Sequence, residues 1–131
     1  LSCFHYLPPP HVQIEATPFY QDLELLEYCQ DSSIGIISSE PCAKGLRRNH
    51  EVVRAVSDFM NISPDEVLIR WGVTRGFAVL APPVFVNTHL QGVQAVGALC
   101  EPLPDEVMQS LNQCNVQLKT TWDSNDEEVE Q

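Results

Sequence analysis

The chain is short, acidic and moderately apolar. Its 131 residues carry 18 acidic and 7 basic side chains, for a formal net charge of −11, and 44% of them are hydrophobic. This length and composition predict one domain with enough apolar surface to form a core. The charge argues against nucleic acid or an anionic membrane as the main partner, because both are bound through clustered Lys and Arg.

The cysteines and the apolar runs narrow the class of protein further. Five cysteines are widely separated, with no CxxC pair and no Cys/His cluster at zinc spacing, so we predict reduced thiols and no metal site. No apolar run approaches the roughly 20 residues that a membrane helix needs. The first six residues lack the basic start and long apolar centre of a signal peptide. These features predict a cytoplasmic protein.

Short apolar strands alternate with helical patterns along the chain. After a Pro-rich leader at residues 1–10, the predicted strands are residues 12–16, 34–38 and 77–81. The nearly continuous apolar run at 77–81 is typical of a parallel strand covered on both faces. Residues 22–30 predict the helix between the first two strands. This alternation predicts a parallel sheet with right-handed crossovers.

Apolar stripes at helical spacing mark the inward faces of the helices. The stripes are Leu25, Leu26 and Cys29 in the first helix; Val52, Val53, Val56 and Phe59 in the second; Leu90 and Val93 in a helix at 87–97; and Val107, Met108 and Leu111 in the last helix, which starts at 103–106. We predict that each stripe belongs to the core.

The clearest local signals surround the helix that precedes the third strand. Ser63 suits the N-cap, Pro64 suits the first helical position, and Glu66 completes a capping box. Gly76 predicts the end of the helix. The prolines at 82–83 end the following strand, because proline has no N–H to donate. Residues after that strand are expected at the functional rim of the sheet.

Four segments, in this order and at these separations, together resemble the aldo-keto reductase family. Residues 11–29 are similar to the sixth strand and helix of the family, 34–41 to its seventh strand, and 64–81, with Arg70-Trp71 and Arg75-Gly76, to its next helix and eighth strand; residues 103–111 resemble its final helix. The resemblance implies an α/β fold, a partial (β/α)8 TIM barrel at residues 11–121 made of the last three parallel strands with their helices. An acidic tail at 122–131 is expected to be disordered.

The resemblance also implies an activity and a missing part. Aldo-keto reductases reduce aldehydes and ketones with NADPH, and their catalytic Asp, Tyr, Lys and His come from the first half of the barrel. We therefore expect a truncated form with no catalytic residue of its own, inactive alone, whose substrate in a complete enzyme is a small carbonyl compound. Tyr6, Tyr20 and Tyr28 lie in the leader or near the first helix and are not expected to replace the acid.

Four residues stand at or near family positions at the nicotinamide and pyrophosphate end of the cofactor, and most of them depart from the family pattern. Gln13 stands where the family has a Gln that bonds the nicotinamide carboxamide. Ser39 replaces the aromatic residue that stacks on the nicotinamide, with a loss of about 1 kcal/mol. Glu40 replaces a Ser near the pyrophosphate, and its charge would repel phosphate unless Lys44 or a protonated state offsets it.

The match is weaker at the 2′-phosphate end. Pro82 and Thr88 stand where the family has a Lys and an Arg, whereas Gln91 matches the residue that faces the adenine. Charge-assisted contacts to phosphate contribute roughly 1.5–3 kcal/mol each, so the loss of two implies NADPH affinity weaker by at least about 100-fold.

Alternatives remain open for the residues and for the function. Gln13 could instead bond neighbouring backbone, the four histidines are expected in structural roles, and a reactive thiol at Cys42 beside Lys44 is a minor possibility. For the whole chain, the alternative to an aldo-keto reductase-like oxidoreductase is a non-catalytic regulatory or interaction subunit. Three strands cannot close an eight-stranded barrel, so open sheet edges would be free for a protein partner or for self-association.

Overall fold

The computed structural model describes residues 9–82 and 97–120. Three parallel strands form one sheet in the order β1 (His11–Ile14), β2 (Gly35–Ser38) and β3 (Ala78–Val79). The prediction of three neighbouring parallel strands is confirmed, although each strand is shorter than the sequence pattern indicated.

The register of the sheet places one row of side chains on a common face. Gln13 pairs with Ile37, and Ile37 pairs with Ala78. The Leu80 N–H continues the pairing beyond β3 by donating to the Ser38 carbonyl at 3.0 Å. Because paired residues of parallel strands point to the same side, Gln13, Ile37 and Ala78 share the sheet face that Leu80 also joins.

Four α-helices lie wholly within the described residues: α1 (Leu23–Asp31), α2 (Glu51–Met60), α3 (Pro64–Thr74) and α4 (Asp105–Asn112). None of the helices in these residues has the length and apolar character to cross a bilayer. The helix predicted at 87–97, with its stripe of Leu90 and Val93, lies outside the described residues.

Local capping chemistry sets the helix ends. Ser63 is the N-cap of α3, and its hydroxyl accepts the Glu66 N–H at 3.2 Å, with Pro64 as the first helical residue. After α3 the chain turns at Gly76, whose φ of +85° is a left-handed conformation that glycine adopts without a side-chain clash. The predicted start and end of this helix are confirmed.

The core divides into two apolar clusters. The larger one lies among α2, α3 and α4, with Phe19, Val53, Leu68, Trp71 and Leu111 all fully buried. The smaller one packs α1 onto β1 and β2, and its buried members are Leu26, Cys29, Ile34 and Ile36. Phe77 contacts both clusters, so the residue before β3 joins the two halves of the core.

Two predictions about burial are wrong. β3 is not covered on both faces. Ala78 is exposed and Leu80 is 48% exposed, because no element within residues 9–82 and 97–120 packs on that face of the sheet. Phe59 is 79% exposed and is not part of the core stripe. The buried strip of α2 is Val53 and Val56, and Phe59 lies about 120° around the helix from Val53.

Candidate functional site

The carboxyl ends of the three strands bring three loops to one edge of the sheet. These loops are residues 15–21 after β1, 39–45 after β2 and 80–82 after β3. In α/β sheets and barrels, ligands bind at this edge, where the loops that follow the parallel strands come together. The candidate site is therefore the rim formed by these loops.

Two of the predicted cofactor positions meet at a cavity on this rim. Gln13 is exposed and Ser39 is half-buried, and the Ser39 N–H donates to the Ile14 carbonyl at 2.9 Å, where the β1–β2 pairing ends. The cavity measures about 370 Å³ and is lined by Gln13, Ile14, Glu15, Tyr20, Asp22, Leu25, Ser39 and Lys119. The structure thus brings together the two residues expected at the nicotinamide end.

Glu40 and Lys44, the two residues considered near the pyrophosphate, make separate contacts. Lys44 lies in a single 3-10 turn, Ala43–Gly45, with a left-handed φ of 51°, and its ammonium donates to the Thr120 carbonyl at 2.7 Å. Glu40 is half-buried, and it takes part in no ion pair within the described part of the chain. Thr88 and Gln91, expected at the 2′-phosphate and adenine, lie outside the described residues.

A buried carboxylate on the rim was not predicted from the sequence. Glu15 is only 5% exposed, and its two oxygens accept the Thr120 N–H at 2.8 and 2.9 Å, while Oε1 also accepts the Thr120 hydroxyl at 2.7 Å. Because the Lys44 ammonium donates to the Thr120 carbonyl, Thr120 is held through its N–H, its hydroxyl and its carbonyl. An acidic residue directly after an apolar strand was the only local signal, since its partner lies 105 positions away.

The segment at 115–120 lies along the loop that follows β1. The Val116 and Leu118 N–H groups both donate to the Phe19 carbonyl, at 3.1 and 3.0 Å, and the Asn115 side chain accepts the Gln21 N–H at 3.1 Å. Lys119 then reaches the cavity, with its ammonium 6.0 Å from the centre of the Tyr20 ring. One wall of the cavity is therefore built from the last described residues of the chain.

A buried amide network holds the same loop against the helices. Gln21 is 2% exposed, and its amide nitrogen donates to the carbonyls of Pro18 and Asn112 at 2.9 and 3.1 Å. Its oxygen accepts from Arg75 at 3.1 Å, and the Trp71 indole donates to the Asn112 side chain at 2.8 Å. These bonds fix the rim loop to the ends of α3 and α4.

The possibility of a reactive thiol at Cys42 is not supported. Cys42 is 3% exposed. Burial, followed by the nearby Asp65 carboxylate, raises its pKa from 9.0 to about 12. A nucleophilic cysteine needs a stabilised thiolate, and this thiol stays protonated at neutral pH. Its proximity in sequence to Lys44 has no effect of that kind, because the Lys44 ammonium bonds the Thr120 carbonyl.

Comparison with known proteins identifies the family. No protein-family model matches the chain. An uncharacterized oxidoreductase of Schizosaccharomyces pombe is 30% identical over 101 residues, which cover 76% of this chain and 34% of the relative. Aldo-keto reductase family 1 member A1 of Sus scrofa is 26% identical over 121 residues, which cover 85% of this chain and 36% of the relative. The chain belongs to the aldo-keto reductase family.

The structural comparison gives the same fold for this aldo-keto reductase chain. The crystal structure of a mutant of Gox0644 in complex with NADPH superposes with a TM-score of 0.70 at 23% sequence identity, covering 83% of this chain and 39% of that one. The fold is thus a partial (β/α)8 barrel, as predicted. The chain spans about a third of the length of the curated relatives it matches.

Proposed function

We propose that this chain forms part of an NADPH-dependent reductase of aldehydes or ketones and that the 131 residues alone do not turn over substrate. The single observation that carries the proposal is the position of Gln13, which is exposed beside the Ser39 cavity at the carboxyl end of a parallel strand. An amide there can donate to and accept from a carboxamide such as that of nicotinamide. The oxidoreductase name of the yeast relative and the NADPH bound to Gox0644 support the same function.

The residues on the rim fit one end of NADPH better than the other. The nicotinamide end fits, because Gln13 and Ser39 line one cavity. The pyrophosphate end does not fit, because Glu40 is half-buried near the expected phosphate position and the Lys44 ammonium already bonds Thr120. A partly desolvated carboxylate repels phosphate more strongly than one in bulk water. We therefore propose weak NADPH binding.

We propose that the described part of the rim does not supply the positioned proton donor that carbonyl reduction requires. Tyr20 lines the cavity, and Lys119 lies near its ring, but the catalytic Asp, Tyr, Lys and His of the family are expected from strands that this sequence does not contain. Without a positioned acid, protonation of the carbonyl oxygen loses the 10²- to 10⁴-fold acceleration that general acid catalysis typically gives. This is the basis for proposing inactivity of the isolated chain.

A fluorescence titration tests the proposal. NADPH emission is measured against increasing concentrations of the chain, of Gln13→Leu, and of Gln109→Leu, which changes an exposed glutamine on α4. We expect no saturation at micromolar concentrations, and a weak change that Gln13→Leu removes and Gln109→Leu retains. Saturable micromolar binding, or NADPH consumption with an aldehyde that Tyr20→Phe abolishes, would contradict the proposal.

A second candidate is a non-catalytic interaction subunit. It is favoured by the uncovered sheet face, on which Gln13, Ala78 and Leu80 are exposed. It is also favoured by the outer edges of β1 and β3, which pair with no further strand in the described residues. Open edges and apolar faces of this kind favour association with another chain. Sedimentation velocity over a wide concentration range tests it, and a folded monomer throughout would exclude obligate self-association.

A further inference from the structure

A shallow apolar groove of about 340 Å³ lies between α2 and α4, away from the candidate cofactor residues. Its floor contains Val56 and Val107, which are 6% and 8% exposed and belong to the main core. Val52 and Ala55 line its sides. Phe59, 79% exposed, stands at the same groove and gives it a large aromatic surface.

The groove exists because α2 has a wider apolar face than its neighbours cover. Val53 and Val56 face the core, whereas Val52, Ala55 and Phe59 lie within about 60° of one another on the adjoining side of the helix. An exposed phenylalanine in a contiguous apolar surface is typical of an interaction site. No part of the described chain covers Phe59, so the groove is open to an occupant.

The charges around the groove indicate the chemistry of that occupant. Glu51 and Glu106 line the groove from α2 and α4, and both are exposed. Arg54, the one basic residue of α2, lies about 140° around the helix from Phe59 and donates to the Asn49 side chain at 3.4 Å. Helix α4 contains no Lys or Arg. The rim of the groove is therefore negative, like the chain as a whole, which carries a net charge of −11.

A second copy of the chain fits this surface poorly. In a two-fold dimer the same patch meets itself, so Glu51 and Glu106 would approach the same carboxylates of the partner. Like charges brought together in this way oppose association. A partner with basic residues beside apolar ones instead satisfies both features of the groove.

We propose that the groove between α2 and α4 binds an amphipathic, Lys- or Arg-flanked helix of another protein. Helix α4 is 8 residues long, or about 12 Å, which matches a partner that presents apolar anchors at i, i+3, i+4 and i+7. Phe59 would pack between those anchors, while Glu51 and Glu106 would pair with the flanking cations. This binding is separate from the proposed cofactor site and stands whether or not NADPH binds at Gln13.

Binding of two matched peptides to the complete 131-residue chain tests the proposal. One labelled helical peptide carries Leu at i, i+3, i+4 and i+7 with Lys elsewhere, and its twin carries Glu in place of Lys. Fluorescence anisotropy should show saturable binding of the Lys peptide, weakened at higher salt because the paired charges are partly exposed. Phe59→Ser and the double variant Glu51→Lys/Glu106→Lys should each weaken it at least 10-fold.

Two variants outside the groove serve as matched controls. Leu46→Ser removes another exposed large side chain, 66% exposed in the loop before α2, and Glu24→Lys reverses an exposed charge on α1. Both should bind the Lys peptide within twofold of the unchanged chain, and circular dichroism should show all variants folded.

Four results would each overturn the proposal. Equal binding of the Glu peptide would show that charge does not select the partner. Binding of the Lys peptide that Phe59→Ser leaves unchanged would place the site elsewhere. Absence of saturation with either peptide at millimolar concentration would show that the groove is not a docking site. A dimer that Phe59→Ser dissociates, measured by sedimentation, would identify the occupant as a second copy.

Discussion

The carboxylate of Glu15 should hold residues 115–120 against the rim, and Glu15→Gln should release them. In the structure this buried group accepts the Thr120 N–H and hydroxyl at 2.7–2.9 Å. Hydrogen bonds to a charged group contribute about 1.5–3 kcal/mol, against about 0.5–1.5 kcal/mol for neutral ones. Glutamine keeps one oxygen acceptor but no charge, so the two donors of Thr120 together should lose about 2–3 kcal/mol.

This loss should appear as local opening rather than global unfolding. The segment can leave the rim while the clusters among α2, α3 and α4 stay intact, so amide hydrogen exchange is the suitable assay. A cost of about 2–3 kcal/mol corresponds to about 30- to 150-fold faster exchange at the Thr120 amide and at the Leu118 amide, which donates to Phe19. Amides of α3 should exchange at an unchanged rate.

Glu24→Gln provides the control, because it removes the charge of an exposed carboxylate on α1. It should leave exchange at Thr120 unchanged. Less than threefold acceleration in Glu15→Gln would show that the carboxylate does not hold the segment, and equal acceleration in both variants would assign the effect to net charge.

Three further predictions concern stability. The pKa of Cys42 is raised from 9.0 to about 12, so between these pH values the folded state keeps a thiol proton that the unfolded state loses. Stability should therefore be full below pH 9 and fall as the pH rises from 9 toward 12. The urea midpoint of Cys42→Ala should fall less steeply with pH over this range, and equal pH dependence of the two proteins would contradict the reasoning. Val53→Ala should lower the free energy of unfolding by about 1–3 kcal/mol, because the site is fully buried. Phe59→Ser should change the free energy of unfolding by less than about 0.5 kcal/mol. Equal losses for the two variants in urea unfolding would mean that Phe59 is buried. Gly76→Ala should lower the free energy of unfolding by about 1–2 kcal/mol through the φ of +85° alone, because a Cβ at this position would meet no other atom within 4 Å. A thermal midpoint unchanged from the parent would contradict the left-handed turn.

The parts of the fold that could be predicted depend on neighbours in sequence. Ser63, Pro64 and Gly76 act through backbone groups within one turn of themselves, so the bounds of α3 followed from local chemistry. The parallel order of the strands followed from their alternation with helices. Strand length was overestimated, because an apolar run does not show where its pairing partner ends: β2 offers β3 only Ile37 and Ser38 as ladder partners.

Burial could be predicted only in part, because helical spacing identifies a face and not how much of it is covered. Val53 and Phe59 both belong to the apolar stripe of α2, yet one is fully buried and the other is 79% exposed. The difference depends on where α3 and α4 pack, which the residues of α2 do not encode. The stripe of Val107, Met108 and Leu111 was predicted correctly, since that narrower face is wholly covered.

For the rim, the family resemblance named candidate residues, whereas contacts between residues distant in sequence could not be predicted. Gln13 and Ser39 line one cavity, and their role at the nicotinamide stays a prediction. Lys44 was considered as a charge that could offset Glu40, and its ammonium bonds the carbonyl of Thr120, 76 positions away. Long-range partners of this kind leave no local pattern, because any donor or acceptor of suitable reach can serve.

The uncovered sheet face and the groove between α2 and α4 lie on different parts of the fold, so binding at each can be tested independently. Gln13, Ile37 and Ala78 share the sheet face that α1 does not cover, because β1 packs on α1 through the alternate residues Val12 and Ile14. Any partner that covers this face would also bury Gln13, so partner binding there and cofactor binding should compete. The groove between α2 and α4 is lined by helix residues alone. Occupation of the groove should therefore leave NADPH affinity unchanged. Mutual exclusion of a groove peptide and NADPH would show that the sheet face and the helices that line the groove are coupled.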